Sequence, residues 1–239
     1  MGGSGLSLAL VVAAAGYGSR LDSGLPKQYV PLLGIPMLQR TLSALSSCSA
    51  VDALAVVVNF QDVEYCQSEV TMEQIGKVVR VTAGGDERPF SVRNGLLALA
   101  EAGTWDLVGV HDGARPLVTC AEIGRAIEAL AADPSLDGAV SAMPSADTVK
   151  IVDDDCLIKS TPDRRYVWRA QTPQIFRWQV LMDAYAQSEE ALLGATDDAS
   201  LVEARGGRVA VVEGSPENFK VTDRVDLRHA EQILAERRR

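Results

Sequence analysis

The 239-residue sequence predicts an α/β fold, and three observations carry that expectation. Short, nearly unbroken runs of Val, Ala and Leu recur along the chain between turn residues, as strands buried on both faces of a sheet require. Segments with apolar residues at helical spacing alternate with them, each able to press one face on such a sheet. The composition, 47% hydrophobic and 23% charged, is that of an ordinary globular chain with one sizeable core.

In chain order, the leading MGGSG is linker-like and has no structure assigned to it. Leu6–Ala13 is the first strand. The apolar run continuing to Ala15 resembles a signal sequence, but no Lys or Arg precedes it, it is too short to span a bilayer, and it runs into a glycine loop. Pro36–Ser46 reads as a helix through Met37, Leu38, Leu42 and Leu45, followed by strands at Ala53–Val58 and Val78–Ala83. A helix over Ser91–Ala102, with Ser91 as its N-cap, uses Val92, Leu96, Leu97 and Leu99. Leu107–His111 is a strand, Ala121–Ala131 a helix on Ile123, Ile127 and Leu130, and Ala139–Met143 a further strand.

Residues 147–168 break the alternation. Two β-like arms, Val149–Val152 and Cys156–Ser160, flank Asp153, Asp154 and Asp155, which reads as a hairpin of the kind that grips a second subunit. Thr172-Pro173-Gln174 closes a strand, and Thr196-Asp197-Asp198 starts a helix with capping residues. Val209–Glu213 is a strand, and Lys220 sits in a short β-like piece. Asp223–Arg239 is a helix with Asp226 near its start and a solvated end at Arg237, Arg238 and Arg239, charges that complement its dipole. No repeat or linker divides the chain, so residues 6–239 are expected to form a single domain.

The formal charge of -9 argues against a nucleic-acid or anionic membrane surface, either of which needs a broad basic patch. An anionic ligand must then be met by a few local cations. Cys48, Cys66, Cys120 and Cys156 show no metal-ligand spacing and read as free thiols of a reducing, cytoplasmic compartment.

Four stretches carry chemistry. In AAAGYGSRLDSGLPKQY, Gly16 and Gly18 let the backbone turn tightly and present N–H groups to phosphate oxygens. Arg20 and Lys27 add a fork donor and a point charge, although a βα turn with two exposed cations would look the same. The stretch is neither a Walker A loop nor a full dinucleotide fingerprint, because Leu21 stands where the third glycine belongs. In GGDERPFSV, a glycine turn follows a strand and would meet a base or ribose at the sheet's carboxyl edge, or Ser91 does no more than cap. VHDGARP delivers Asp112 to the same edge, a hard oxygen ligand for a divalent cation carried with a nucleotide, and Arg115 follows within reach of another anion. His111 reads as packing or support rather than as a general base. QTPQIF, TDDASLVEARGG and NFKVTDRVDL have a dull reading one at a time, but not in this order together.

Taken together, these stretches resemble the 2-C-methyl-D-erythritol 4-phosphate cytidylyltransferase family of the sugar-phosphate nucleotidylyltransferases, over about Leu6 to Leu234. The resemblance implies a doubly wound, mostly parallel Rossmann-like sheet with a protruding dimerising arm. It also implies transfer of CMP from CTP to a polyol phosphate with release of pyrophosphate, in the non-mevalonate isoprenoid pathway. Arg20 and Lys27 match the family's triphosphate and transition-state residues, and Ala14, Ala15, Gly16 and Gly18 its nucleotide loop. Gly85, Asp86 and Ser91 match positions reading cytosine and ribose, and Gly113 stands where Ala is common, which implies a looser ribose contact. Ala13 replaces a frequent Pro. Asp112 matches the carboxylate near Mg²⁺, and Lys220 a second cation for the α-phosphate. Arg115, Thr148, Arg164, Thr172 and Thr196 match the acceptor pocket, with Thr148 and Arg164 lent by the partner of a homodimer. Arg165 competes with Arg164 for that role.

An acceptor phosphate is already ionised near neutral pH, so attack on the α-phosphorus needs no general base and catalysis rests on alignment and charge. Two alternatives remain at this level. A ribitol 5-phosphate cytidylyltransferase shares every nucleotide motif, and a non-catalytic nucleotide-binding module would bind CTP without releasing pyrophosphate.

Overall fold

β-Branched and small apolar residues run unbroken through the central strands, and the chain hides both of their faces. The computed structural model describes residues 5–16, 25–71 and 75–237. Its strands and helices are, in order, β1 (Leu8–Ala13), β2 (Pro31–Leu32), β3 (Ile35–Pro36), α1 (Met37–Ser47), β4 (Ala53–Val58), α2 (Val63–Tyr65), β5 (Val78–Ala83), α3 (Arg88–Ala102), β6 (Leu107–Asp112) and α4 (Cys120–Ala132). After them come β7 (Gly138–Pro144), β8 (Ile151–Val152), β9 (Ile158–Ser160), β10 (Trp168–Arg177), α5 (Trp178–Tyr185), α6 (Glu189–Leu193), α7 (Asp198–Glu203), β11 (Val209–Glu213) and α8 (Arg224–Glu236).

The main sheet runs β11-β7-β10-β6-β1-β4-β5. Neighbours pair in parallel except for β10, which is antiparallel to both β6 and β7. The predicted α/β, mostly parallel, doubly wound architecture is therefore present. Alternation along β1 divides the core: Leu8, Leu10 and Val12 pack with Leu38 and Leu42 of α1 and Ile123 and Ile127 of α4. Ala9 and Val11 pack on the other face with Val92, Leu96 and Leu99 of α3 and with Leu181 of α5. Helix α8 closes a smaller cluster with Val30, Leu32, Met37 and Leu117. Among the described residues, no helix is long and apolar enough to cross a membrane.

Four expectations are corrected. Helix α3 starts at Arg88, not at Ser91, because Pro89 in its first turn is preset for helical φ and Glu87 holds the extended position before it. Thr172-Pro173-Gln174 lies inside β10 rather than at its end; the pairing with β7 shifts register between Ala170 and Gln174, and such an irregularity admits a proline. The Thr172–Pro173 peptide is cis. Lys220 sits in irregular chain, where the Val221 N–H bonds the Ala114 carbonyl (2.9 Å). Arg237 is not merely solvated, since it donates to the Leu117 carbonyl and pairs with Glu217 at 2.7 Å.

The cysteine expectation is corrected as well. Cys48, at the end of α1, and Cys120, at the start of α4, form a disulfide with Cα atoms 5.1 Å apart; only Cys66 and Cys156 are free. The two helices share one face of the sheet, so a sequence separation of 72 residues closes in space. Opening a loop of that length is expected to cost about 4 kcal/mol. A urea midpoint that falls on adding reductant, and falls equally in Cys48→Ser without reductant, checks this; a midpoint indifferent to both rules it out.

The expected hairpin forms, with β8 and β9 antiparallel around the acidic turn. Ile151, Val152, Leu157 and Ile158 on it are 46–66% exposed, so its apolar side chains are left largely open to solvent.

Candidate active site

Four parallel strands, β1, β4, β5 and β6, end on one edge of the sheet, and the loops leaving them surround a cavity of about 670 Å³. One wall is backbone. The Ala14 N–H bonds the Val57 carbonyl (2.8 Å), the Gly84 N–H the Val58 carbonyl (2.7 Å), and the Gly113 N–H the Ala13 carbonyl (2.9 Å), so three loops are tied to neighbouring strand ends. Two glycines are needed for this closeness. A Cβ on Gly84 would stand 2.5 Å from the Ala15 methyl, and one on Gly113 would stand 2.9 Å from the Ala14 methyl. Glycine at position 113 thus brings the Asp112 turn hard against the first loop. Ser91, buried in the first turn of α3, accepts a hydrogen bond from the Gly85 N–H at 3.1 Å and so holds the glycine turn to the helix.

The other wall is charged. Asp112, at the end of β6, is 8% exposed and lies 3.2 Å from Lys220, 3.3 Å from Arg115 and 4.0 Å from Arg88. Burial alone would raise its pKa, but Lys220, Arg115 and Arg88 outweigh that and pull it down to about 2. Asp112 is therefore a carboxylate throughout the physiological range. Lys27 lines the same cavity, close enough to Asp226 in the first turn of α8 to help hold that carboxyl low, after burial, which opposes, and the Thr222 hydrogen bonds, which assist.

Beneath Asp112 lies a polar floor. The Asp112 N–H donates to the Thr172 hydroxyl (3.0 Å), leaving that hydroxyl to donate to Nδ1 of His111 (3.1 Å); His111 Nε2 then donates to the Arg115 carbonyl (3.2 Å). This chain fixes one neutral tautomer of His111. Full burial drives its pKa down to about 4, so the ring sits neutral within the floor. Because 4 lies below the ordinary 6.5, the unfolded chain takes up the proton first as pH falls. The stability this group contributes is complete above pH 6.5 and is lost on the way to pH 4. That loss amounts to about 3 kcal/mol, and His111→Asn should flatten the stability-versus-pH curve by this amount over that window. Parallel curves for the two chains would refute it.

Asn218 is the other half of the floor. Its buried side-chain amide donates to Glu122 (2.9 Å) and to the Thr172 carbonyl (2.8 Å), while its main-chain carbonyl accepts from Arg115 (2.7 Å). The loop carrying Lys220 is thereby pinned to α4, to β10 and to the turn after β6.

Ala14, Ala15, Gly16, Lys27, Gly85, Asp86, Ser91, Asp112, Gly113 and Lys220 all line the cavity. Gly18 and Arg20 lie outside the described residues. Arg115 flanks Asp112 with its side chain largely buried. Thr172 is 4% exposed, its hydroxyl used within the floor. Thr196 lines a second hollow of about 210 Å³ that shares Glu87 and Arg88 with the first. Thr148 and Arg164 are exposed around the arm and line neither hollow. Arg165 is engaged by Asp163 through three hydrogen bonds of 2.5–3.1 Å.

Sequence reasoning missed Arg88, Asp198, Asn218 and Glu122. Arg88 donates two hydrogen bonds (3.0 and 2.7 Å) to Asp198, which is fully buried and accepts from the Tyr185 hydroxyl (2.5 Å). Arg88 stood inside a quoted motif, and an arginine beside the helix-starting Pro89 was the available signal. Asn218 and Glu122 had none, as each looks like a loop or cap residue.

A loop of small residues after β1, a glycine turn lining the same cavity and cations converging at the carboxyl edge of a doubly wound sheet are the marks of an α/β nucleotidyltransferase. The chain belongs to the 2-C-methyl-D-erythritol 4-phosphate cytidylyltransferase family, whose profile matches residues 8–236. It is 42% identical over 232 residues to the enzyme of that name from Pelotomaculum thermopropionicum, covering 96% of this chain and 95% of that one. The crystal structure of 4-diphosphocytidyl-2C-methyl-D-erythritol synthase from Anaerococcus prevotii superposes with a TM-score of 0.80 at 30% identity, covering 97% of both chains. The cytidylyltransferase structure from Francisella tularensis gives 0.79 at 31% identity, over 95% of this chain and 99% of that one.

Proposed function

We propose that this chain transfers the cytidylyl group of CTP to 2-C-methyl-D-erythritol 4-phosphate. Pyrophosphate is released and 4-diphosphocytidyl-2-C-methyl-D-erythritol forms, a step of the non-mevalonate isoprenoid pathway. The observation that carries this reading is that one cavity is lined both by the Ala14–Gly16 loop and the Gly85–Ser91 turn and by Lys27, Lys220 and Asp112.

A phosphate oxygen of the acceptor attacks the α-phosphorus, the bond to the β-phosphate bridging oxygen breaks, and pyrophosphate departs with that electron pair. No side chain needs to take a proton, which accords with a neutral, buried His111. Lys27, Lys220 and Arg20 offset the charge that builds as two anions meet. Ala14, Ala15, Gly16 and Gly18 receive the nucleotide, and Gly85, Asp86, Ser91 and Gly113 meet its base and ribose. Arg115 and Thr196 serve the acceptor side, with Thr172 acting through the turn it holds.

Among the described residues no group of three acidic, His or Cys side chains could hold a metal, and Asp112 is already matched by cations. A Mg²⁺ ion fits here only as one carried on the CTP phosphates with Asp112 as its protein oxygen; bound so, it would supply further charge neutralisation.

The uncovered apolar side chains of the arm support a homodimer in which Thr148 and Arg164 complete the partner's site. Arg164 is the better donor of the adjacent pair, because Asp163 occupies Arg165. Two multiply charged substrates support a cytoplasmic location.

Pyrophosphate release measured with CTP and each of two acceptors tests the reading. Activity with 2-C-methyl-D-erythritol 4-phosphate is expected, and activity with ribitol 5-phosphate alone, or CTP binding without turnover, overturns it. Light scattering should give twice the 25.5 kDa chain mass; a monomer sinks the lent-residue assignment.

A further inference from the structure

Phe60 is 81% exposed, whereas Phe176 is fully buried and Phe90 and Phe219 are half-buried. It also lines the cavity. A solitary exposed aromatic residue needs no explanation on an open surface, but this one stands at the rim of a site for a ligand with a flat ring. Its location is fixed by the fold. Phe60 begins the short 3-10 turn Phe60–Asp62 directly after β4. That turn is tied to both sides of the cavity: the Asn59 amide donates to the Ala15 carbonyl (3.3 Å), and the Gln28 amide donates to Asp62 (3.4 Å). Two residues before Phe60, the Val58 carbonyl accepts from the Gly84 N–H, so the turn bearing Phe60 is tied beside the glycine turn to which base and ribose are assigned, and both line the same cavity.

We infer that Phe60 is a further nucleotide-positioning residue, whose ring packs on the cytosine of bound CTP and shields that end of the cavity from water. The inference rests on the cytidylyl-transfer reading. It explains why a large apolar side chain that contributes nothing to the core is held by two flanking hydrogen bonds at the mouth of a polar cavity. A flat aromatic partner recognises any base by its face and leaves the choice of cytosine to the Gly85–Ser91 turn.

Because the side chain is exposed, Phe60→Ala is expected to fold with an unchanged melting temperature. Calorimetry with CTP should show Kd raised about 10-fold, within the range that base–aromatic stacking is worth. KM for CTP should rise in parallel while kcat and the acceptor KM stay within about twofold, the split expected of uniform binding. Phe60→Tyr should restore native affinity and Phe60→Leu should not. An alanine variant that binds CTP within twofold of the native chain, or a leucine variant that restores affinity in full, overturns the inference. A native chain that binds no CTP refutes the underlying reading too, and that measurement comes first.

Discussion

Lys27→Ala is expected to lower turnover by about 10²-fold or more, with the fold intact. The side chain lines the nucleotide cavity, follows Pro26 in a short 3-10 turn over Lys27–Tyr29, and has the Asp226 carboxylate as a neighbour in the resting state. None of the apolar clusters includes it, so its loss removes charge and little packing. In the proposed reaction two anions approach, and negative charge then accumulates on the departing pyrophosphate. A cation already in place stabilises that state without reorganising, more than it stabilises bound CTP. Most of the loss should therefore fall on kcat. Steady-state kinetics with saturating acceptor decides it, and a variant with near-native kcat would remove Lys27 from the transition state.

Asp198→Ala should cost about 3 kcal/mol of stability. The carboxylate is fully buried and receives two hydrogen bonds from Arg88 and one from Tyr185. Burial raises the Tyr185 pKa, and the negative charge of Asp198 raises it further, so the phenol stays protonated and donates. Removing the acceptor strands a buried hydroxyl, worth about 1–3 kcal/mol, and breaks a paired charge, worth up to about 3–5 kcal/mol. Arg88 keeps 36% of its side chain in solvent, so water recovers part of the second cost. For a chain of this size the melting temperature should fall by about 6–12 °C. Tyr185→Phe, which leaves the ion pair in place, should cost well under half as much. Equal losses in the two variants would place the energy in the phenol rather than in the pair.

Much of the architecture was legible because it is local. Ala53–Val58, Val78–Ala83 and Val209–Glu213 were read to the residue, since a buried parallel strand is apolar on both faces and ends at polar or glycine turns. Helix starts were less legible: Ser91 has the chemistry of a cap, yet Pro89 upstream starts the helix earlier and Ser91 turns instead to the Gly85 backbone. The candidate site was readable where a motif carries its own reason, as with Asp112 at a strand end or glycine where backbones approach. It was not readable where a residue acts through a partner far along the chain. Asn218 is bound to Glu122, and Arg88 to Asp198, across 96 and 110 residues.

Composition and periodicity alone carry the α/β class, the strands and the hairpin, the net charge argues against a broad basic surface, and the family enters through the resemblance of the motifs in their order. These depend on which side chains adjoin in sequence and on the total charge. Folding in three dimensions added the Cys48–Cys120 link, the proline-bearing irregularity within β10, the neutral state of His111 and the three cations around Asp112. All of these arise from groups distant in sequence that burial forces together. Pairing, desolvation and tautomer are properties of such encounters, and no stretch of the chain holds both members.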